Sequence, residues 1–316
     1  MDKKIALKYV SETGRMLLKA GLVARTWGNI SARISDNRCA ITPSGMGYDN
    51  MTPEDIVELD IYSGKWSGDK KPSGERGVHT AAYRIFPEDK FVIHTHQNAA
   101  TAIGLTGIDD IDITADELYQ LGGLEVASYG LPSSDELINN VSKALKTSAH
   151  TILMAHHGVL ISAESREQAM ERAALLESIC LRNLKGQDMQ SQLSFVNVSA
   201  GVYNAHSTAI DECANNHEVI RAQIDDMAMM IGRNVPVFDR MPSESDIPQE
   251  SVILVSGQGA YIYDTDPADA EVMAILVNKA AMAHLHTAAC NVTALLDTAD
   301  VDYMHKDYVE RYSKLQ

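Results

Sequence analysis

The chain has 316 residues, a formal net charge of -16 and a sequence pI near 5.0. That length suits one large domain or two ordinary ones with a core that needs no staples, and two is the better expectation. The acidic balance argues against nucleic acid or an anionic membrane as partner, since the only basic clusters are the Lys3-Lys4 and Lys70-Lys71 pairs, while an anionic small substrate stays compatible because backbone amides bind phosphate.

Cys39, Cys180, Cys213 and Cys290 lie far apart with no C-x-x-C, as expected of reduced, buried thiols. The N-terminus lacks a secretory apolar run and no apolar segment reaches membrane-spanning length, so a cytoplasmic protein is expected. Residues 5–20 carry Leu7, Val10, Gly14, Leu17 and Leu18 near helical period, with Gly21 as a C-terminal cap. Two short strands are expected over 29–34 and 39–42, and the second breaks off at Pro43-Ser44-Gly45-Met46-Gly47. Thr52-Pro53-Glu54-Asp55 starts a short helix or turn, and 57–62 alternates like an edge strand. A helix is expected from Ser73 to Phe86, stopped by Pro87, with Glu75 and His79 one turn apart on it.

Phe91-Val92-Ile93-His94-Thr95-His96 is the most informative stretch. On a strand, histidines two apart point to one face with Cα atoms about 7 Å apart, a reach from which two imidazoles share one cation. Zinc, or another divalent metal that accepts imidazole, is the natural occupant. Asn98–Leu105 reads as a short helix. A mixed region comes next, with a strand at 126–129, and then a helix capped at Ser133-Ser134-Asp135-Glu136 running to about Lys146. Thr151–Ala155 is a buried strand ending at His156-His157-Gly158, and 159–161 continues extended. Ser165 and Gln168 box the start of a long helix to Leu184. His157 is the best third ligand, beside a glycine that lets the ring lie close to another element. His156 points the other way and reads as an ordinary solvated or hydrogen-bonded histidine.

The second half echoes the first. At an offset of 101 residues, Ile152/Ile253, Leu153/Leu254, Gly158/Gly259, Ile161/Ile262, Ala169/Ala270, Ala173/Ala274 and Leu175/Leu276 match in a strand–turn–strand–helix order. Gln258 stands where His157 stands, and nothing is found to match the segment of His94 and His96, so a copy without chemistry is expected. Ala283-His284-Leu285-His286 repeats the histidine spacing in an expected helix, where such positions sit roughly 200° apart and cannot chelate one ion.

Five motifs in order, Gly28-Asn29-Ile30-Ser31, Ile41-Thr42-Pro43-Ser44-Gly45, Lys71-Pro72-Ser73-Gly74-Glu75, His94-Thr95-His96 and Ala155-His156-His157-Gly158, resemble the class II aldolase/adducin family over about residues 5–185. The resemblance implies a three-layer α/β/α domain with a mixed, largely antiparallel sheet over 1–200, and the internal echo a smaller, degenerate and non-catalytic α/β partial repeat over 201–316. It implies zinc, with manganese or cobalt as alternatives, on His94, His96 and His157. It implies a phosphate pocket from Gly28, Asn29, Ser44, Gly45, Ser73 and Gly74, although Gly74 replaces a serine and lacks its hydroxyl. Glu75 is implied as the group that moves the donor-carbon proton, and Tyr129 as proton donor to the aldehyde oxygen at a neighbouring subunit's site. The expected activity is reversible cleavage of a ketose phosphate to dihydroxyacetone phosphate and an aldehyde through a metal-stabilised enediolate, in a homotetramer. The alternatives are a sugar-phosphate 4-epimerase using retro-aldol chemistry and a non-catalytic adducin-like assembly protein. The epimerases in the family tend to carry aspartate where Glu75 stands.

Overall fold

A computed structural model describes residues 1–24, 26–186, 192–243 and 251–312. These fall into two compact units, Met1–Arg182 and Asn183–Leu315, so the second unit takes in residues ahead of the expected repeat at 201–316.

The first unit opens with α1 (Lys3–Lys19), started by Asp2, whose carboxylate accepts from the Lys4 and Ile5 amides. The hairpin β1 (Asn29–Ser35) and β2 (Arg38–Ile41) comes next, then a 3-10 turn over Pro53–Asp55, β3 (Val57–Asp60) and a two-residue β4 (Trp66–Ser67) that sequence patterning does not reveal. The unit continues with α2 (Arg76–Ile85), β5 (Phe91–Thr95), α3 (Asn98–Gly104), α4 (Ala115–Gln120), β6 (Leu124–Ala127), α5 (Asp135–Leu145), β7 (Thr151–Met154), β8 (Gly158–Ala163) and α6 (Arg166–Asn183). Two expectations shift. The strand expected at 126–129 ends at Ala127 and leaves Tyr129 in the loop beyond it. The helix expected from Ser73 begins at Arg76, because Ser73 donates its amide to the Thr42 carbonyl and its hydroxyl accepts from the Glu75 amide, which holds that stretch against the sheet.

The sheet order is β4-β3-β2-β1-β5-β8-β7-β6, antiparallel throughout except for the β6–β7 pair. It is the mixed, largely antiparallel α/β architecture expected. Both faces are buried, as alternation requires of a sheet covered by helices. Val92, Ile152 and Leu160 pack with Val78 and Ala82 of α2 and Leu137 and Val141 of α5. Ile93 and Ile161, facing the other way, are also fully buried. Val92 and His94 share a strand face, so the first histidine emerges on the α2 side.

The second unit contains β9 (Ser194–Ser199), β10 (Val202–His206), α7 (Thr208–Asn215), β11 (Ile220–Arg221), α8 (Asp225–Met230), β12 (Asn234–Val235), β13 (Val237–Phe238), β14 (Val252–Val255), β15 (Gly259–Tyr263), α9 (Pro267–Ala289) and α10 (Thr298–Asp307). Its main sheet runs β13-β14-β15-β10-β9, with β13–β14 parallel and the other pairs antiparallel. That order and those directions repeat β6-β7-β8-β5-β1 of the first unit. The register corrects the expectation that nothing matches the His94–His96 segment. Leu160 pairs with His94, and Tyr261, its counterpart at the offset of 101, pairs with Asn204. Asn204 therefore stands for His94, His206 for His96 and Gln258 for His157. The match escapes sequence comparison because two of the three chemical side chains have become amides.

Candidate metal centre

Four side chains converge in the first unit. His94, His96, His157 and Glu75 each offer a ligand atom, all within 4.8 Å of one another. His94 lies near the end of β5 and His96 just beyond it. His157 closes the turn before β8, and Glu75 occupies the position preceding α2. The turn takes its shape from His156, at φ 66°, and from the His157 amide donating to the Met154 carbonyl. A side chain at position 158 would collide with the Thr95 carbonyl, so glycine is needed for β8 to lie against β5 here. The counterpart turn repeats this, with Gly257 at φ 70° and a Cβ on Gly259 meeting the Ala205 carbonyl at 2.6 Å.

His94 Nδ1 donates to the Val159 carbonyl at 2.9 Å, so a neutral ring turns a lone pair outward from Nε2. His96 Nε2 lies 2.9 Å from that atom. Glu75 Oε2 is 2.9 Å from His94 Nε2, and Oε1 is 3.0 Å from His157 Nε2. The His94 and His157 rings stack at 4.9 Å with 7° between planes, and His96 is tilted against both. The three imidazoles are buried, at 0%, 8% and 2% exposure. Acceptor atoms brought this close in a dry site repel one another unless a proton or cation lies among them. The donor set fits a divalent metal: three imidazole nitrogens with a carboxylate alongside.

Burial by itself would push Glu75 up; with protons on His157 and His94, their charges and hydrogen bonds outweigh it and hold the carboxyl below the usual carboxylate range.

The loops singled out in the sequence meet here. Asn29 sits opposite His94 across the β1–β5 ladder, and its Nδ2 is 3.4 Å from Glu75 Oε2. The Ser44 amide donates to the Lys71 carbonyl, and Pro43 bridges to Pro72, so the Ser44-Gly45 and Ser73-Gly74 turns run side by side. Gly28 has φ 75°, and a Cβ there would come within 2.5 Å of the His94 carbonyl. Gly28→Ala is expected to lower stability by roughly 1–3 kcal/mol, from αL strain plus the clash, and to displace His94. Thermal melting checks the first effect and metal titration the second. Gly74 gains an explanation: a Cβ there would lie 2.6 Å from Ser133 Oγ, so the hydroxyl of another loop stands where a side chain at 74 would go.

Tyr129 lies outside the four-residue cluster. Its ring packs edge-on against His156 at 5.2 Å, and its carbonyl accepts from Asn140 Nδ2. His284 and His286 sit on α9 and part company as expected, His284 meeting Glu218 at 2.8 Å and His286 accepting the Lys185 amide at 3.1 Å. Sequence reasoning missed the partners of His79, which contacts Asn29 and Ser31. Burial, with a smaller push from the His94 charge and against the pull of Glu75, brings His79 down to about 3. The unfolded chain takes up this proton near the ordinary value of 6.5, and the native protein does not until about pH 3. This contribution to stability is thus complete above 6.5 and is lost as pH falls toward 3, by about 1.4 kcal/mol per unit. Urea unfolding at pH 7 and pH 5 should show a loss steeper in the parent than in His79→Gln.

In the second unit the counterpart residues do other work. Asn204 Nδ2 donates to the Gln258 and Ala260 carbonyls, and His206 Nδ1 pairs with Asp211 at 2.8 Å.

With a mixed sheet holding a three-histidine, one-glutamate cluster, the chain belongs to the class II aldolase and adducin N-terminal domain family, matched over residues 8–184. It is 36% identical over 180 residues to 5-methylthioribulose-1-phosphate/5-deoxyribulose-1-phosphate aldolase of Escherichia coli O45:K1, covering 56% of this chain and 81% of that one. It is 30% identical over 173 residues to 3-oxo-tetronate 4-phosphate decarboxylase of Haemophilus influenzae, covering 52% and 80%. Among solved structures, an L-fuculose 1-phosphate aldolase superposes with a TM-score of 0.51 at 26% identity, over 55% of this chain and 82% of that one. The family thus spans more than one reaction on phosphorylated sugar derivatives. Among the described residues, no helix is long and apolar enough to cross a membrane.

Proposed function

We propose that the protein is a metal-dependent aldehyde-lyase that cleaves a ketose phosphate reversibly to dihydroxyacetone phosphate and an aldehyde. The observation that carries this reading is the Glu75 carboxylate 2.9 and 3.0 Å from two imidazoles of a cluster suited to a metal. His94, His96 and His157 would hold the ion, zinc or else manganese or cobalt. When bound, it supplies Lewis-acid stabilisation of negative charge on the donor fragment. In the synthetic direction the Glu75 carboxylate takes the proton from the hydroxyl-bearing carbon of dihydroxyacetone phosphate, and in cleavage it returns that proton to the same carbon. Tyr129 serves the aldehyde oxygen, donating a proton in synthesis and receiving it in cleavage, at an active site completed by a neighbouring subunit of a homo-oligomer.

Gly28, Asn29, Ser44, Gly45, Ser73 and Gly74 line the phosphate end. Ser133 adds the hydroxyl that Gly74 lacks, which supports a phosphorylated substrate. The second unit is a non-catalytic copy, since two of its three ligand positions are amides. The test is to incubate metal-loaded protein with ketose 1-phosphates and trap free aldehyde with a coupled dehydrogenase. Aldehyde and dihydroxyacetone phosphate in equal amounts support the reading. A C4-inverted ketose phosphate without free aldehyde identifies a 4-epimerase instead, and carbon dioxide released from a 3-oxo acid phosphate identifies a decarboxylase.

A further inference from the structure

Glu75 is gripped from behind by a buried hydrogen-bond chain that runs from the cluster into the interior of the first unit. Asn29 Nδ2 faces Glu75 Oε2 at 3.4 Å, Asn29 Oδ1 meets His79 Nε2, His79 Nδ1 lies 2.7 Å from Ser31 Oγ, and Ser31 Oγ lies 2.9 Å from the Tyr83 hydroxyl. Asn29 and Ser31 stand two apart on β1 and so share one face. His79 and Tyr83 stand one turn apart on α2. Asn29 is 5% exposed, His79 and Ser31 0% and Tyr83 1%, so bulk water does not compete for these groups.

The direction of the bonds follows from the orientation of the Asn29 amide, which turns Nδ2 toward Glu75 Oε2 and Oδ1 toward His79. Asn29 Oδ1 then needs a donor, which places the His79 proton on Nε2. His79 Nδ1 is left an acceptor, so Ser31 donates to it and Tyr83 donates to Ser31. One tautomer and one amide orientation satisfy all five groups, and bonds aligned in this way reinforce one another. His79 is neutral at working pH, as this pattern needs.

At 3.4 Å the Asn29–Glu75 contact is weak by itself. An unheld carboxamide would also visit the flipped orientation, which sets its oxygen against the carboxylate. His79 anchors the amide through Asn29 Oδ1, so that the carboxamide does not turn away from Glu75.

We propose that His79 is a positioning residue for Glu75. It touches neither the metal ligands nor a substrate, and acts by fixing the amide of Asn29 and through it the Glu75 carboxylate. The inference rests on Glu75 being the proton carrier proposed above.

The test pairs crystal structures of the metal-loaded parent, His79→Leu and His79→Gln with deuterium exchange from solvent into dihydroxyacetone phosphate, followed by NMR. In His79→Leu we expect full metal content and unmoved His94, His96 and His157, with the Asn29 amide turned or the Glu75 carboxylate displaced. Exchange turnover should fall about 10- to 100-fold, the usual cost of losing such a supporting partner, with the KM within about twofold. His79→Gln, which offers an N–H at similar reach, should restore Glu75 and most of the turnover. An Asn29 and Glu75 arrangement unchanged in His79→Leu overturns the proposal, as does equal loss in both variants that tracks their melting temperatures. Absence of exchange in the parent itself would count against the aldolase reading alone, and the crystallographic comparison would still decide the role of His79.

Discussion

Glu75→Gln is expected to lower turnover by about 10³-fold while the protein keeps its metal. The amide matches the carboxylate in shape, so the site stays packed, and His94, His96 and His157 remain as three nitrogen ligands. What disappears is the anion that exchanges a proton with carbon, and a positioned general base contributes about 10²–10⁴-fold. The substrate KM should change little, because the lost interaction acts in the transition state. Steady-state kinetics beside metal analysis of the same preparation checks this. Turnover within tenfold of the parent with metal bound would mean that another group carries the proton.

His157→Ala should act at the metal itself. Zinc sites in small peptides bind with about 10–16 kcal/mol divided among four ligands, so one imidazole carries roughly 3 kcal/mol, a factor of about 10² in affinity. The substitution also removes the contact that Glu75 Oε1 makes at 3.0 Å. Dialysis against a mild chelator should strip this variant and leave the parent loaded, with activity following metal content. His206→Ala is the matched control, since His206 belongs to the counterpart site of the second unit and pairs with Asp211. It should leave both metal content and activity unchanged.

Where periodicity and capping signals were strong, sequence and structure agree. α1 carries helical spacing, α5 and α6 carry clear start signals, and β5 and β7 are short apolar runs bounded by breaks. The three histidines come together because β5 and the turn before β8 are adjacent across an antiparallel ladder, and the register Met154↔Gly158 places His157 at the turn. That adjacency is long-range, so the spacing of His94 and His96 suggests a site, His157 stands out by its place at a strand end beside Gly158, and Glu75 enters only through the resemblance.

Other features lay beyond local pattern. The start of α2 was displaced by three residues because the bonds of Ser73 to Thr42 and to Glu75 override helix propensity. β4 is two residues long, too short to carry a period. The partner of His79 was invisible because Asn29 lies 50 positions earlier and is brought in only by strand β1. β10 escaped because strand pairing keeps main-chain register while side chains drift, so Asn204 and Gln258 preserve the positions of His94 and His157 without their chemistry.

Whether aldol cleavage depends on a metal held by these histidines is decided by the aldehyde released from a panel of ketose 1-phosphates by protein of known metal content, before and after chelation. About one divalent ion per chain is expected, as three imidazoles and one carboxylate make a single site. At least one member of the panel should give equal amounts of aldehyde and dihydroxyacetone phosphate, with loss of both on chelation and recovery on adding zinc, manganese or cobalt. Aldehyde release that survives complete removal of the metal would overturn the metal-dependent mechanism.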